Sequence, residues 1–170
     1  MILGMSTAVY TLLHVLISLA GIGSGLIVLY GLITGKRLDG WTALFLISTV
    51  ATSVTGFGFP FDHLLPSHIV GIISLIALAI AIAARYRFHL AGGWRRTYVI
   101  SAAIALYLNV FVLVVQSFEK VPALRALAPT QKQPPFVATQ VIVLAIFVGL
   151  TILAAKRFRE DTATPLARAA

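Results

Sequence analysis

Seven polar side chains carry what chemistry this chain has to offer: His14, Asp62, His63, His68, Asn109, Gln116 and Gln140. A neutral imidazole ligates haem iron or a divalent metal, and an imidazole or carboxamide N–H donates to a carbonyl oxygen. Brought to one depth, these groups would hold a quinone or one haem. His14, His68, Asn109 and Gln116 would be the binding set, with Asp62, His63 and Gln140 around them and Phe57, Phe59 and Phe61 covering the apolar ring. His63 beside Asp62 would then accept the proton if a quinol were oxidised there. A second haem does not fit, because paired histidines are needed at both leaflets and His89 stands alone at the other end. Zinc has its ligand types in His14, Asp62, His63 and His68, but the spacing of the last three matches no tight helical motif, so no metal site is assigned. The simpler expectation is that the amides and imidazoles bond helix to helix, and that residues 56–62 (GFGFPFD) form a turn rich in interfacial aromatics.

What must position these groups is a bundle of membrane helices. Hydrophobic residues make up 59% of the chain and charged residues 11%, against roughly 25% charged in a soluble domain, and mean hydropathy is +0.99. Apolar runs of about 20 residues cross the hydrocarbon core at about 1.5 Å rise per residue. Five are predicted, at 9–34, 41–59, 67–86, 96–118 and 136–155. The expected fold class is an all-α integral membrane protein, a bundle of five transmembrane helices forming one domain over 1–158, with a short cytoplasmic tail over 159–170. The first run is too long, and its start too free of basic residues, for a cleaved signal peptide. A net charge of +8 does not call for nucleic acid, because the basic residues flank the spans. With no Cys in the chain, disulfides, thiolate metal sites and c-type haem attachment are excluded.

Lys and Arg fall on alternate loops. Lys36, Arg37, Arg85, Arg87, Arg95, Arg96, Lys156, Arg157, Arg159 and Arg168 make ten on one side, against Lys120, Arg125 and Lys132 on the other. The excess marks the cytoplasmic side, which predicts the N-terminus outside and the C-terminus inside. Trp41 and Trp94 stand at the cytoplasmic ends of their spans, where an interfacial ring belongs. Counted from the basic anchors, His14 lies roughly 33 Å above Lys36, His68 roughly 26 Å above Arg85 and Gln140 roughly 24 Å above Lys156. Gln116 and Asn109 lie roughly 30 Å and 20 Å above Arg96. All five fall in the outer half, and Asp62 and His63 join them from the outer loop.

The remaining features are structural in kind. Ser48, Thr49, Thr52, Ser53 and Thr55 in the second span are expected to bond back to their own helix carbonyls. Gly21 and Gly25, like Gly31 and Gly35, are four apart and would let another helix approach closely, whether in this chain, in a second copy or in a membrane-complex partner. Residues 122–127 read as a short helix in the outer interface beside Lys120 and Arg125, followed by an irregular Pro-rich loop. No Asp, Glu, Lys or Arg lies in the middle of a span, so coupled transport lacks its usual charge, and no hydrolase or phosphate-loop motif is present.

Residues 57–68 (FGFPFDHLLPSH), 107–119 (YLNVFVLVVQSFE) and 127–136 (LAPTQKQPPF) resemble those of small uncharacterised multi-pass inner-membrane proteins of bacteria. The resemblance implies a bacterial inner-membrane location and brings no activity with it. The expected function is binding of a quinone or a single haem in a polar outer-leaflet pocket. The alternative is a non-catalytic accessory or scaffold subunit of a membrane complex, and the third choice a small transporter.

Overall fold

The computed structural model describes residues 2, 4–60 and 66–158. Asp62, His63 and the tail from 159 onward lie outside the described residues. Helix α1 (Thr7–Ile33) starts at Ser6, whose hydroxyl accepts from the Val9 N–H at 3.3 Å, one of the donors that a helix start leaves unpaired. It stops at Gly35, where a φ of +74° lets Gly35 N–H reach Leu32 O at 3.4 Å and Lys36 N–H reach Gly31 O at 2.8 Å, the two bonds of a Schellman ending. The chain turns over residues 34–38 and returns along α1 as α2 (Asp39–Gly56). Helix α2 ends at 56 instead of the expected 59, because Pro60 disfavours helical backbone at Phe59.

Helix α3 (Pro66–Ile82) runs on through a π-helical turn at Ala83–Arg87, closed by Phe88 N–H to Ala83 O at 3.0 Å. His89, Leu90 and Gly92 then adopt φ values of 50°, 60° and 54°, reversing the chain so tightly that Phe88 stacks on Trp94 at 3.8 Å. Helix α4 (Trp94–Lys120) follows, then the short α5 (Pro122–Leu127) and α6 (Pro134–Arg157). Pro122 and Pro134 each open a helix, where a missing N–H is no loss.

Around the bundle the order is α1, α2, α3, α4, α6, with α6 closing back on α1 and α4 also reaching across to α1. Helix α4 is the hub: 44% of its apolar stretch is buried, against 11% for α6. Ser101, Ala102, Ala103 and Ala105 are buried on α4, and such small residues let helices come close where no hydrophobic drive separates lipid from protein. The apolar core gathers toward the Arg-rich end, from Val28, Leu29 and Leu32 through Phe45, Leu78 and Ala84 to Tyr98 and Leu106.

Helices α1, α3 with its π turn, α4 and α6 are long and apolar enough to cross a membrane, and the chain is read as a helical membrane protein. Helix α2 has 18 residues, but Asp39 and six Ser and Thr side chains keep it less apolar than those four.

Gly21, Gly25 and Gly31 of α1 face side chains of this chain. A Cβ on Gly25 would lie 2.5 Å from the Leu106 side chain and 2.8 Å from that of Phe45, so α2 and α4 occupy its place. Gly31 faces Leu38, and Gly35 is the helix stop.

Candidate functional site

Thr55, in the last turn of α2, gathers the N-terminal end of α1. The Tyr10 hydroxyl donates to Thr55 O at 2.7 Å, and His14, one turn further on α1, sets Nδ1 2.8 Å from Thr55 Oγ1. Thr55 Oγ1 also lies 2.7 Å from Ala51 O. With the hydroxyl hydrogen on Ala51 O, the usual back-bond of a helical threonine, the threonine oxygen is the acceptor for His14 Nδ1. The Nε2 of the ring takes no part in this contact. Phe59 stands edge-on to both rings, 5.0 Å from Tyr10 and 5.2 Å from His14. A Cβ on Gly58 would overlap the Tyr10 hydroxyl, so a larger residue there would displace the Tyr10 side chain.

His68 belongs to a different contact. Only 5% exposed near the start of α3, it stacks on Phe57 at 5.4 Å with the ring planes 17° apart. Gly71, one turn on, leaves the space for the Phe57 ring, which would be 3.3 Å from a Cβ there. Ser53 Oγ donates to Ser74 Oγ at 3.2 Å, a further link between α2 and α3. Residues 53–59 thus act as a two-sided hook, with Thr55 and Phe59 holding α1 and Ser53 and Phe57 holding α3.

Asn109 sits where α1 crosses α4. A Cβ on Gly21 would meet Thr49 Oγ1 at 3.0 Å, Asn109 Nδ2 at 3.2 Å and Ser48 Oγ at 3.3 Å, so three polar side chains from two helices press on one glycine. Ser48 bonds back to Leu44 O at 2.6 Å as expected, but Thr49 Oγ1 and Asn109 Nδ2 are sealed from water with no hydrogen-bond partner. Gln140 Nε2 donates to Phe111 O at 3.3 Å, tying α6 to α4, while its Oε1 is sealed and unpaired.

Each sequence-predicted residue among the described ones thus has its own place. His14 goes to Thr55, His68 to Phe57, Asn109 to the Gly21 crossing and Gln140 to Phe111. Gln116 is exposed: seven residues return it to nearly the same side of α4 as Asn109, but about 10 Å further along the axis. A quinone carbonyl would need free donors, yet His14 Nδ1 and Gln140 Nε2 are already engaged and Asn109 Nδ2 has no opening toward it. For a haem, the described residues offer His14 Nε2, which takes no part in the bond to Thr55. Among the described residues no three His, Asp or Glu side chains come together as a metal would require.

At the opposite end the structure holds a group that the sequence reading took for a loop cation. The Arg85 side chain is only 4% exposed; it pairs with Asp39 of α2 and lies over Tyr98 of α4, 5.4 Å from the ring centroid, and near Tyr86 at 5.7 Å. Tyr98 itself is fully buried. The π turn re-aims the end of α3 so that a charge just past an apolar run faces the bundle. The signal in the sequence was Asp39, the lone acid in the first and third loops, at the same end as Arg85.

Compared with known proteins, the chain matches no family profile, no curated protein and no solved structure.

Proposed function

We propose that this chain is a bacterial inner-membrane protein of five spans, N-terminus outside and C-terminus in the cytoplasm, acting as a non-catalytic accessory or scaffold subunit of a membrane complex. The observation that carries this reading is the pairing of the candidate site residues: His14, His68 and Gln140 each engage a neighbouring helix instead of turning to a shared cavity. In hydrocarbon, polar groups need protein partners, and interhelical bonds of about 1 kcal/mol supply the cohesion that apolar packing does not. Five spans are supported by α2, which runs antiparallel along α1 for about 27 Å, close to the hydrocarbon thickness. Orientation rests on the ten-to-three distribution of Lys and Arg.

Topology is tested with single cysteines, which are clean probes in a chain that has none. Ser6→Cys and Thr130→Cys should react with a membrane-impermeant maleimide in intact cells, and Lys36→Cys only after lysis; the reverse pattern would overturn the orientation. The accessory role is tested by native electrophoresis of mildly solubilised membranes, where the protein should migrate in one assembly with a fixed partner. A monomer alone would sink it. A ligand-binding role has one observation in its favour, the His14 imidazole whose Nε2 takes no part in the bond to Thr55. Purified protein with a Soret band lost in His14→Phe, or with stoichiometric quinone, would replace the scaffold reading with that one.

A further inference from the structure

At the end of α4 remote from Arg85, Glu119, Lys120, Arg125, Pro129 and Gln131 line a half-open cavity of about 300 Å³ over Phe118. The fold builds its walls deliberately. Val121 leaves the helix in an extended conformation, and α5, beginning at Pro122, turns Arg125 back toward Lys120. The facing loop is tied down: Gln131, at a φ of +57°, donates from Nε2 to Val115 O at 3.4 Å, and Gln133 Oε1 accepts from Thr130 N–H at 3.3 Å and Lys132 N–H at 3.2 Å. Ala128, between α5 and that loop, is fully buried.

Charge singles the place out. No Lys or Arg occurs in residues 1–35 or 57–65, so the loops at this end of the bundle are cation-free apart from Lys120, Arg125 and Lys132, and two of those three line the cavity. Glu119 lies 3.6 Å from Lys120 Nζ, which leaves the walls with two positive charges and one negative. Since Gln131 Nε2 is engaged by Val115, its Oε1 remains as an acceptor. Cations and acceptors side by side suit a ligand that is itself both: a phosphate with a primary ammonium close by. Depth names the source. Helix α4 is 27 residues, about 40 Å, so with Trp94 at one interface its far end stands in the opposite headgroup layer. Below the cavity the Phe118 and Phe136 rings meet edge-on at 5.4 Å, an apolar floor where acyl chains begin.

We infer that this cavity is a binding site for a phosphoethanolamine lipid headgroup, the phosphate held by Lys120 and Arg125 and the ammonium by Glu119 and Gln131 Oε1. The site requires membrane residence alone; it is the same whichever way the bundle faces and whether or not the protein is a scaffold. All the charged groups are at the surface, so substitutions there leave the helix packing alone.

The full-length protein in mild detergent is mixed in turn with phosphatidylethanolamine, phosphatidylglycerol and phosphatidylcholine, and retained lipid is read by native mass spectrometry. Wild type should hold one phosphatidylethanolamine about tenfold more tightly than phosphatidylcholine, which lacks ammonium donors. Lys120→Gln/Arg125→Gln should bring both phosphatidylethanolamine and phosphatidylglycerol down to that level, Glu119→Gln should erase the preference for phosphatidylethanolamine over phosphatidylglycerol, and Lys132→Gln should change nothing. Equal retention of the three lipids, or a double variant that behaves as wild type, would overturn the site. Titration of O-phosphoethanolamine followed by its phosphorus resonance separates the sources: binding of the dissolved ester without any lipid preference would reassign the cavity to a solute and overturn the lipid.

Discussion

At the end that holds His14 and His68, polar side chains are matched between adjacent segments through hydrogen bonds and ring contacts, and the rings pack in the open angle of the 53–59 hook. At the Arg-rich end, a full positive charge is shut against Tyr98 in the main apolar core while its counter-ion, Asp39, stays 73% exposed. The difference lies in what failure costs. A lost neutral contact between membrane helices is worth about 0.6–1 kcal/mol, and water or another hydroxyl can replace it. A buried guanidinium deprived of its carboxylate has no such substitute and costs several times more. The His14 end is therefore the adaptable half of the bundle and the Arg85 end the fixed half.

The sharpest way to break this comparison is to remove Asp39. Asp39→Ala leaves Arg85 against aromatic faces alone and should lower the unfolding free energy in detergent by about 3 kcal/mol, whereas Arg85→Met, which leaves only an exposed carboxylate behind, should cost under about 1 kcal/mol. Equal losses would show that Arg85 is solvated and the ends alike. Next is Gly25→Ala, which drives a methyl into Leu106 and Phe45 and should destabilise by about 2 kcal/mol, while Gly23→Ala, which meets nothing within 4 Å, should be neutral or stabilising by up to about 1 kcal/mol. Asn109→Leu, nearly the same size, should raise stability by about 1 kcal/mol, because it replaces a sealed, unpaired amide; a loss instead would reveal a partner for that amide. The smallest effect belongs to the hook. Thr55→Val and His14→Phe should each cost about 0.6 kcal/mol and the double variant little more, as expected of two ends of one bond.

Much of the architecture was legible in the residues. Long apolar runs with basic flanks give helix limits that the structure reproduces within three residues, and the short helix at 122–127 is where its prolines put it. The outer polar set was legible as a list but not as an arrangement. Hydropathy along one chain gives depth, and depth cannot say which neighbour a side chain meets. Asn109 and Gln116 share a helix face on paper, yet only Asn109 lies at the crossing that Gly21 permits. Thr49 and Thr52 were expected to bond back to their helix; instead both hydroxyls are sealed and unpaired, and at Thr49 the close approach of α1 at Gly21 sets the surroundings. Arg85 was hidden for another reason: a π turn has no signature in Ala-Ala-Arg-Tyr-Arg, and a cation after an apolar run is ordinarily a loop anchor.

That widened turn also separates two properties that a regular helix couples. Deleting one alanine from Ala83–Arg87 would remove the extra residue that the wide turn accommodates and rewind the segment into an ordinary helix, with the segments on either side nearly in register. The guanidinium would leave from a different point of that turn and lose its aim at Tyr98, with no change in net charge. Where this cation sits is written in the number of residues that precede it, so an insertion or deletion here would do what no point substitution of equal modesty can.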